Sequence, residues 1–270
     1  MGDGETNPIY DLEFSVDFIL SLESTVQESN SLGLFGYVAI PFVGNGPWEN
    51  LCQEFKIPYE FRPLPKVNDI YEGVNRKTFY PINNQHLLQL VKERYELPNQ
   101  KFLLSVSTLE PRKNILRLIN AYSELSEALR NEYHLVLVGR KGWKWNSVKI
   151  PAQCKGQIHF TGFVRDEHLP ALYTSASGFC YVSLYEGFGL PVLEALACGT
   201  PVLVSNTSSL PELVGEVGIL CDPLNNESIQ RGLESLIQKS KVTQVDHQCM
   251  RQSWNFSWQK TWKETLNYLT

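Results

Sequence analysis

From about residue 100 onward the chain alternates short, continuously apolar runs with amphipathic segments, and this rhythm restricts the possible folds more than any other feature. The runs are Lys101-Phe-Leu-Leu-Ser-Val106, His134-Leu-Val-Leu-Val138, Gln157-Ile-His-Phe160, Gly178-Phe-Cys-Tyr-Val182, Pro201-Val-Leu-Val204 and Val217-Gly-Ile-Leu-Cys221. A strand with one face in water alternates apolar and polar residues, whereas a strand covered on both faces is apolar throughout. Between the runs, Asn114 to Leu129, Asp166 to Ser177, Leu190 to Cys198, Ser209 to Val214 and Asn226 to Gln238 carry apolar residues at three- and four-residue spacing, which predicts helices. Asp166 reads as a cap, and Ser208-Ser-Leu-Pro-Glu212 as a capping box with Pro near the first helical position. Strands alternating with helices imply an α/β protein with a doubly wound parallel sheet. Such sheets bind ligands beyond the carboxyl ends of their strands, here the loops starting near Ser107, Gly139, Gly162, Ser183 and Ser205.

Composition narrows the class without naming a function. The chain has 270 residues, 43% hydrophobic and 20% charged, which excludes collagen-like, disulfide-scaffold and wholly disordered chains. Leu32 to Pro47, the longest nearly uncharged apolar stretch, is broken by Pro41, Asn45 and several glycines and falls short of the ~20 residues a membrane span needs. The acidic start Met1-Gly-Asp-Gly-Glu5 is unlike a secretory signal, so the expected location is the cytoplasm, with at most peripheral membrane association. Six scattered cysteines form no C-x-x-C pair and read as buried, reduced thiols. Residues 1–60 hold ten Asp/Glu and only Lys56 as a cation, so the remaining 210 residues carry 23 Lys/Arg against 19 Asp/Glu. That excess is too diffuse for a nucleic-acid footprint, so no nucleic acid is expected, while anionic small molecules remain possible partners.

The first 83 residues carry weaker signals: a strand at Leu34 to Val43, a strand or short helix at Leu12 to Leu22, and a connector at Pro58 to Pro65. Asn83 to Leu97 has helical spacing and opens a second part. The expected division is residues 1–83, a shortened N-terminal region with its linker, and 84–270, a ligand-binding domain closing with a helix over 257–268.

The most informative segment is Ser183-Leu-Tyr-Glu-Gly-Phe-Gly-Leu-Pro-Val-Leu-Glu194-Ala-Leu-Ala-Cys-Gly-Thr-Pro201. A strand ends, a Gly-containing loop follows, and Pro191 starts a helix, so the amides of Gly187, Phe188, Gly189 and Leu190 point out of a helix N-terminus, a geometry suited to phosphate or sugar oxygens. Glu186 sits beside these amides and Glu194 eight positions later. One carboxylate can take the hydroxyls of one ring and the second those of another, with phosphates between them. A Glu placed against the helix dipole is the structural alternative for Glu194 alone. No D-x-D pair occurs, and the five histidines have no G-x-S-x-G partner, so neither a metal-held diphosphate nor Ser-His-Asp hydrolysis is expected.

Glu186 to Glu194 resembles the E-x7-E motif of retaining glycosyltransferases of the GT-B fold, family 4. The resemblance runs from about Ile70 to the C-terminus through Tyr71-Glu-Gly-Val-Asn75 with Phe79-Tyr-Pro81, Ser107-Thr-Leu-Glu-Pro-Arg-Lys-Asn114, Leu137-Val-Gly-Arg-Lys-Gly-Trp143, Phe160-Thr-Gly-Phe-Val164, Asn206-Thr-Ser-Ser-Leu-Pro-Glu212 and Phe256-Ser-Trp258. The order of these motifs is similar to that of bacterial mannosyl- and rhamnosyltransferase-like members. It implies a GT-B type, Rossmann-like donor domain in which Arg112 and Lys113 grip the diphosphate, Glu186 meets the transferred sugar, Glu194 meets the ribose, and backbone near Phe163 and Val164 meets the nucleobase. Gly139 would open a loop near base and phosphates, with Arg140 and Lys141 either helping with phosphate or solvated. The resemblance further implies no cofactor and no metal, a nucleotide-diphosphate sugar (GDP- or UDP-linked) as co-substrate, and a glycan or lipid-linked acceptor. Family members carry an N-terminal acceptor-binding domain about as large as the donor domain, and residues 1–83 are too few for one. Two functions stay open: hexose transfer with retention, or a non-catalytic nucleotide-sugar-binding module or half of a split enzyme paired with a second chain. An epimerase of the same fold is disfavoured by the E-P-R-K-N and E-G-F-G-L-P segments.

Overall fold

Every apolar run forms a strand and all are parallel. The structure, a computed structural model, describes residues 70–142, 149–240 and 245–269. The readings at Leu12–Leu22, Leu34–Val43 and Pro58–Pro65, together with Cys52 and Trp143, lie outside these residues. The described part belongs to one unit, Val67–Thr270. Its elements are α1 (Gln85–Arg94), β1 (Lys101–Val106), α2 (Ile115–Ser123), α3 (Glu127–Glu132), β2 (Tyr133–Val138), β3 (Ile158–Gly162), α4 (Leu169–Ser175), β4 (Gly178–Tyr181), α5 (Leu190–Ala197), β5 (Val202–Ser205), α6 (Leu210–Val214), β6 (Ile219–Cys221), α7 (Asn226–Lys239), α8 (Val245–Ser253) and α9 (Trp258–Leu269).

The strands lie in the order β3-β2-β1-β4-β5-β6, all parallel. The chain winds outward from β1 through β2 to β3, then returns to place β4 on the other side of β1. The order therefore reverses between β1 and β4, the position where a doubly wound sheet opens a crevice for ligands.

Both faces are covered, which accounts for the unbroken apolar runs. Phe102 and Leu104 of β1, Val136 of β2 and Phe179 of β4 pack with residues of α1, α4, α5, α6 and α8. Leu103, Leu135, Leu137 and Cys180, their neighbours in sequence, face the opposite way and pack with α2 and α7. Five cysteines, Cys154, Cys180, Cys198, Cys221 and Cys249, are free and buried, as their scatter suggested. No helix among the described residues is long and apolar enough to cross a membrane.

Three local expectations need correction. The segment 114–129 is not one helix: it breaks after Ser123, and Ser126 caps a second helix by accepting the Leu129 amide at 3.3 Å. Asp166 does not cap a helix but begins a short 3-10 turn, Asp166–His168, leading into α4. The capping box at Ser208–Glu212 does not form either. The Ser209 hydroxyl donates to the Phe188 carbonyl at 2.8 Å, and Glu212 accepts the Tyr71 hydroxyl at 2.8 Å. A local capping pattern has yielded to longer-range partners, which bind this turn to the loop preceding α5.

Residues 71–82 run along the same unit. Tyr71, Phe79 and Ile82 pack against the core, the Ile82 amide donates to Thr174 at 3.1 Å, and the Thr261 hydroxyl of α9 donates to the Tyr71 carbonyl at 2.5 Å.

Candidate functional site

The loop after β1 and the loop after β4 meet at the point where the strand order reverses. Pro111 fixes the start of a 3-10 turn, Pro111–Lys113, and Asn114 ends it in the left-handed region, φ 58°. Asn is one of the few residues that enters this region readily. The Asn114 side-chain amide, buried, donates to the carbonyls of Val182 at 2.9 Å and Pro223 at 2.7 Å, while the Leu184 amide donates to the Arg112 carbonyl at 2.9 Å. Asn114 thus ties the first loop to the ends of β4 and β6. Asn114→Ala leaves two buried carbonyls without their donor and places Ala at positive φ. We expect it to lower the unfolding free energy by about 2 to 3 kcal/mol in urea titration, with Asn114→Gly recovering only the backbone part.

The same turn brings Arg112 and Lys113 to Glu186. Arg112 Nη1 donates to Glu186 Oε2 at 3.0 Å and to the Tyr185 carbonyl at 2.9 Å, and its Nη2 donates to Glu110 Oε1 at 3.0 Å. Lys113 Nζ donates to Glu186 Oε1 at 2.6 Å and to the Tyr181 hydroxyl at 2.8 Å, and lies 5.0 Å from the Tyr181 ring centroid. Burial pushes the Glu186 carboxyl up, but the Lys113 hydrogen bond and the charges of Lys113 and Arg112 outweigh it and hold the group below the ordinary carboxylate value. Burial also pushes the Tyr181 hydroxyl up, with Glu186 adding to the effect, so it stays protonated.

Beside this cluster α5 begins. Gly189 takes φ 110° at its N-cap, where a Cβ would also fall 2.7 Å from Leu210 Cδ2, and Pro191 occupies the first turn. The amides of Gly187, Phe188, Gly189 and Leu190 have no protein acceptor among the described residues. Arg112, Lys113, Glu186, Phe188, Gly189 and Leu190 line one cleft of about 390 Å³ with Glu72, Ser107, Thr108, Glu110, Tyr181 and Pro191. The Ser107 hydroxyl is buried there without a hydrogen-bond partner among the described residues.

The other anticipated residues stand around the cleft rather than in its wall. Glu194 lies one turn beyond Leu190 and accepts the Tyr173 hydroxyl at 2.9 Å. Its carboxyl is pushed up to about 7, chiefly by burial, with Asp166 adding to the rise and the Tyr173 bond opposing it. Gly139 ends β2 at φ 145° and donates to the Gly162 carbonyl at 2.9 Å, so the loops after β1, β2 and β3 lie side by side. Phe163, 55% exposed, follows β3 and carries the Arg140 guanidinium 4.5 Å from its ring centroid. Arg140 is itself exposed, in keeping with the solvated reading, and the ring contact adds a partner on that surface. The Val164 side chain is buried, which leaves only its backbone for a ligand.

Sequence reasoning missed Tyr181 and Glu110. Tyr181 is the hydroxyl-bearing residue at the carboxyl end of an apolar run, and Glu110 is an acid two positions before Arg112. Both signals were present but look like strand and surface residues until the loops are brought together.

Residues 90–252 match the family model for group 1 glycosyltransferases. The chain belongs to this family. It is 40% identical over 182 residues to the O-antigen chain mannosyltransferase B of Escherichia coli, covering 66% of this chain and 48% of that protein. It is 31% identical over 191 residues to the GDP-mannose-dependent alpha-(1-6)-phosphatidylinositol dimannoside mannosyltransferase of Mycobacterium tuberculosis, covering 70% of this chain and 48% of that protein. This group 1 glycosyltransferase chain thus spans about half the length of these relatives. Among solved structures it resembles Anabaena HepE in complex with UDP and glucose, with a TM-score of 0.63 and 20% identity over 74% of this chain and 55% of that one. It also resembles the C-terminal domain of the Francisella tularensis group 1 protein LpcC, with a TM-score of 0.55 and 22% identity over 68% of this chain and 95% of that one. These likenesses establish the GT-B type fold of the described glycosyltransferase unit.

Proposed function

We propose that the cleft binds the diphosphate of a nucleotide sugar and that the protein transfers a hexose from it, with retention of anomeric configuration, to a glycan or lipid-linked acceptor. The observation that carries this reading is the convergence of Arg112 and Lys113 on Glu186 beside the open amides at the start of α5. A departing nucleoside diphosphate gathers negative charge as the glycosidic bond breaks. Two fixed cations and a helix N-terminus placed at that charge stabilise it without reorganising, and this is the role a metal ion would otherwise fill. The charged residues lining the cleft, Glu72, Glu110, Arg112, Lys113 and Glu186, sum to one net negative charge, and Glu186 already pairs with both cations. A diphosphate must therefore share the two cations with Glu186, while the hydroxyls of the transferred sugar supply Glu186 with new donors.

The names of the relatives favour mannose as the hexose and GDP as its carrier. Titration calorimetry of the full chain with GDP-mannose and UDP-glucose tests the donor, and we expect micromolar to millimolar binding with preference for the guanine nucleotide. Failure of both to bind at millimolar concentration would overturn the donor-site reading.

In a second reading this chain holds the donor and a second chain supplies the acceptor side. Donor binding without transfer or hydrolysis, followed by transfer once the partner chain is added, distinguishes it.

A further inference from the structure

The two carboxylates of the E-x7-E segment sit in opposite surroundings. Glu186 is paired with two cations. Glu194 forms no ion pair among the described residues, and its hydrogen-bond donor is the Tyr173 hydroxyl, at 2.9 Å.

Tyr173 is held firmly in place. It is fully buried on α4, and its ring meets Phe179 edge-on at 5.4 Å and Phe79 at 6.2 Å. Its carbonyl accepts the Thr200 hydroxyl at 2.8 Å. Burial pushes the Tyr173 hydroxyl well up, with Glu194 adding to the effect, so the hydroxyl is a permanent donor. Four residues before Glu194, on the same helical face, Leu190 lines the cleft.

We propose that Tyr173 is a positioning residue for donor binding, whose hydroxyl holds the Glu194 carboxylate in the orientation and charge state that accepts the ribose hydroxyls of the nucleotide. This rests on the reading of the cleft as a nucleotide-sugar site and on the family resemblance that gives Glu194, which stands beside the cleft and not in its wall, to the ribose. An ionised Glu194 offers only acceptors and can take two ribose hydroxyls while keeping Tyr173. A protonated one spends an oxygen on its own proton and loses the charge that strengthens each bond.

The groups around Glu194 are few. The turn before α4 brings Asp166, α4 brings Tyr173, and α5 itself brings Cys198, whose thiol burial holds protonated, with Glu194 adding to the effect. Helix α8, packed on α5, brings His247 and Arg251, both exposed and neither ion-paired with Glu194, and α6 brings Glu212, which takes the Tyr71 hydroxyl. Burial and Asp166 favour the protonated carboxyl and Tyr173 favours the ionised one, leaving Glu194 to titrate near neutrality, at about 7. The sign follows: binding that selects the carboxylate releases a proton, so affinity rises as pH rises through this value. Removing the Tyr173 hydroxyl moves the rise to higher pH.

The test is calorimetric titration of the full chain with GDP-mannose between about pH 6 and about pH 8.5, covering both sides of the Glu194 midpoint. A nucleotide sugar is preferred to a free nucleoside diphosphate because its diphosphate is substituted at both ends and carries no proton in this range. The wild type should gain about tenfold in affinity across the range and level off, and Tyr173→Phe should follow the same curve displaced upward by about one pH unit, still rising at the upper end of the range. Glu194→Gln should bind weakly with no such gain. The carboxyl carbon shift of Glu194, followed by NMR in the wild type and in Tyr173→Phe, should show the displaced midpoint directly, and serves if the variant binds too weakly to titrate.

An identical pH profile and carboxyl midpoint in Tyr173→Phe and wild type overturns the proposal, as does a uniform loss of affinity at every pH. If the wild type binds no nucleotide sugar at any pH, the donor-site reading itself falls and the proposal falls with it. Binding that is present but flat with pH removes the proposal alone.

Discussion

Lys113→Ala is expected to weaken nucleotide-sugar binding by about 30- to 100-fold, or about 2 to 3 kcal/mol, and to reduce sugar transfer at saturating donor by a further large factor. Lys113 is the better shielded of the two cations, its side chain 11% exposed against 39% for Arg112, so its charge is less screened by water. Its ammonium lies between Glu186 and the Tyr181 hydroxyl, and Tyr181 also offers its ring face. Removing it leaves Glu186 buried with one cation instead of two, so the variant's carboxyl is expected to titrate at higher pH than the wild type's. Lys113→Arg keeps the charge but cannot place a planar guanidinium in the same contact, so it should recover only part of the affinity. Calorimetry with GDP-mannose at fixed ionic strength reads the first effect and a donor-consumption assay the second. Unchanged affinity in Lys113→Ala would remove this residue from the site.

Gly139→Ala is expected to cost about 3 to 5 kcal/mol of folding stability, at the upper end for single substitutions, and to abolish donor binding in the fraction that folds. A Cβ at Gly139 would lie 1.7 Å from the carbonyl oxygen of Ser107, and backbone cannot move aside as the tip of a side chain can. Gly139 also has φ 145°, which disfavours any L side chain. Gly156→Ala separates the two causes. That glycine is also at positive φ, 82°, but has nothing within 4 Å of the position a Cβ would take, so it should lose only about 1 kcal/mol. Urea unfolding of both variants gives the comparison, and equal losses would show that the contact with Ser107 contributes nothing. The effect reaches the cleft because Ser107 and Thr108 line it and the Leu109 amide donates to the Arg140 carbonyl at 2.9 Å.

What the amino-acid order makes legible depends on how local each constraint is. The strands were readable because burial on both faces writes an unbroken apolar run, and β1 begins and ends where Lys101 and Val106 place it. The E-x7-E segment was readable because Gly, Pro and two carboxylates within nine residues leave few conformations. The split between α2 and α3 was not, because Leu125 and Leu129 continue the helical spacing, while Ser126 signals a cap only once Ser123 has ended the first helix. The fate of Ser209 was hidden for a different reason. Its partner, the Phe188 carbonyl, comes from another loop, and a local pattern cannot report a bond 21 residues away. Tyr181 and Glu110 belong to the same class, as each acquires its role only when the loop after β1 meets the loop after β4.

The carboxylate at Glu186 gives the cleft a resident competitor. Any anion entering must contest Arg112 and Lys113 with a group that is covalently part of the site and never diffuses away. A ligand rich in charge but without hydrogen-bond donors, such as sulfate or a stretch of polyanion, gives Glu186 nothing in return for the cations and is expected to bind weakly. A sugar diphosphate brings hydroxyls along with its charge and can satisfy the carboxylate as it takes the cations. On the donor-site reading the cleft therefore asks for two chemistries at once, and an anion that possesses only one of them is expected to bind less tightly than the donor.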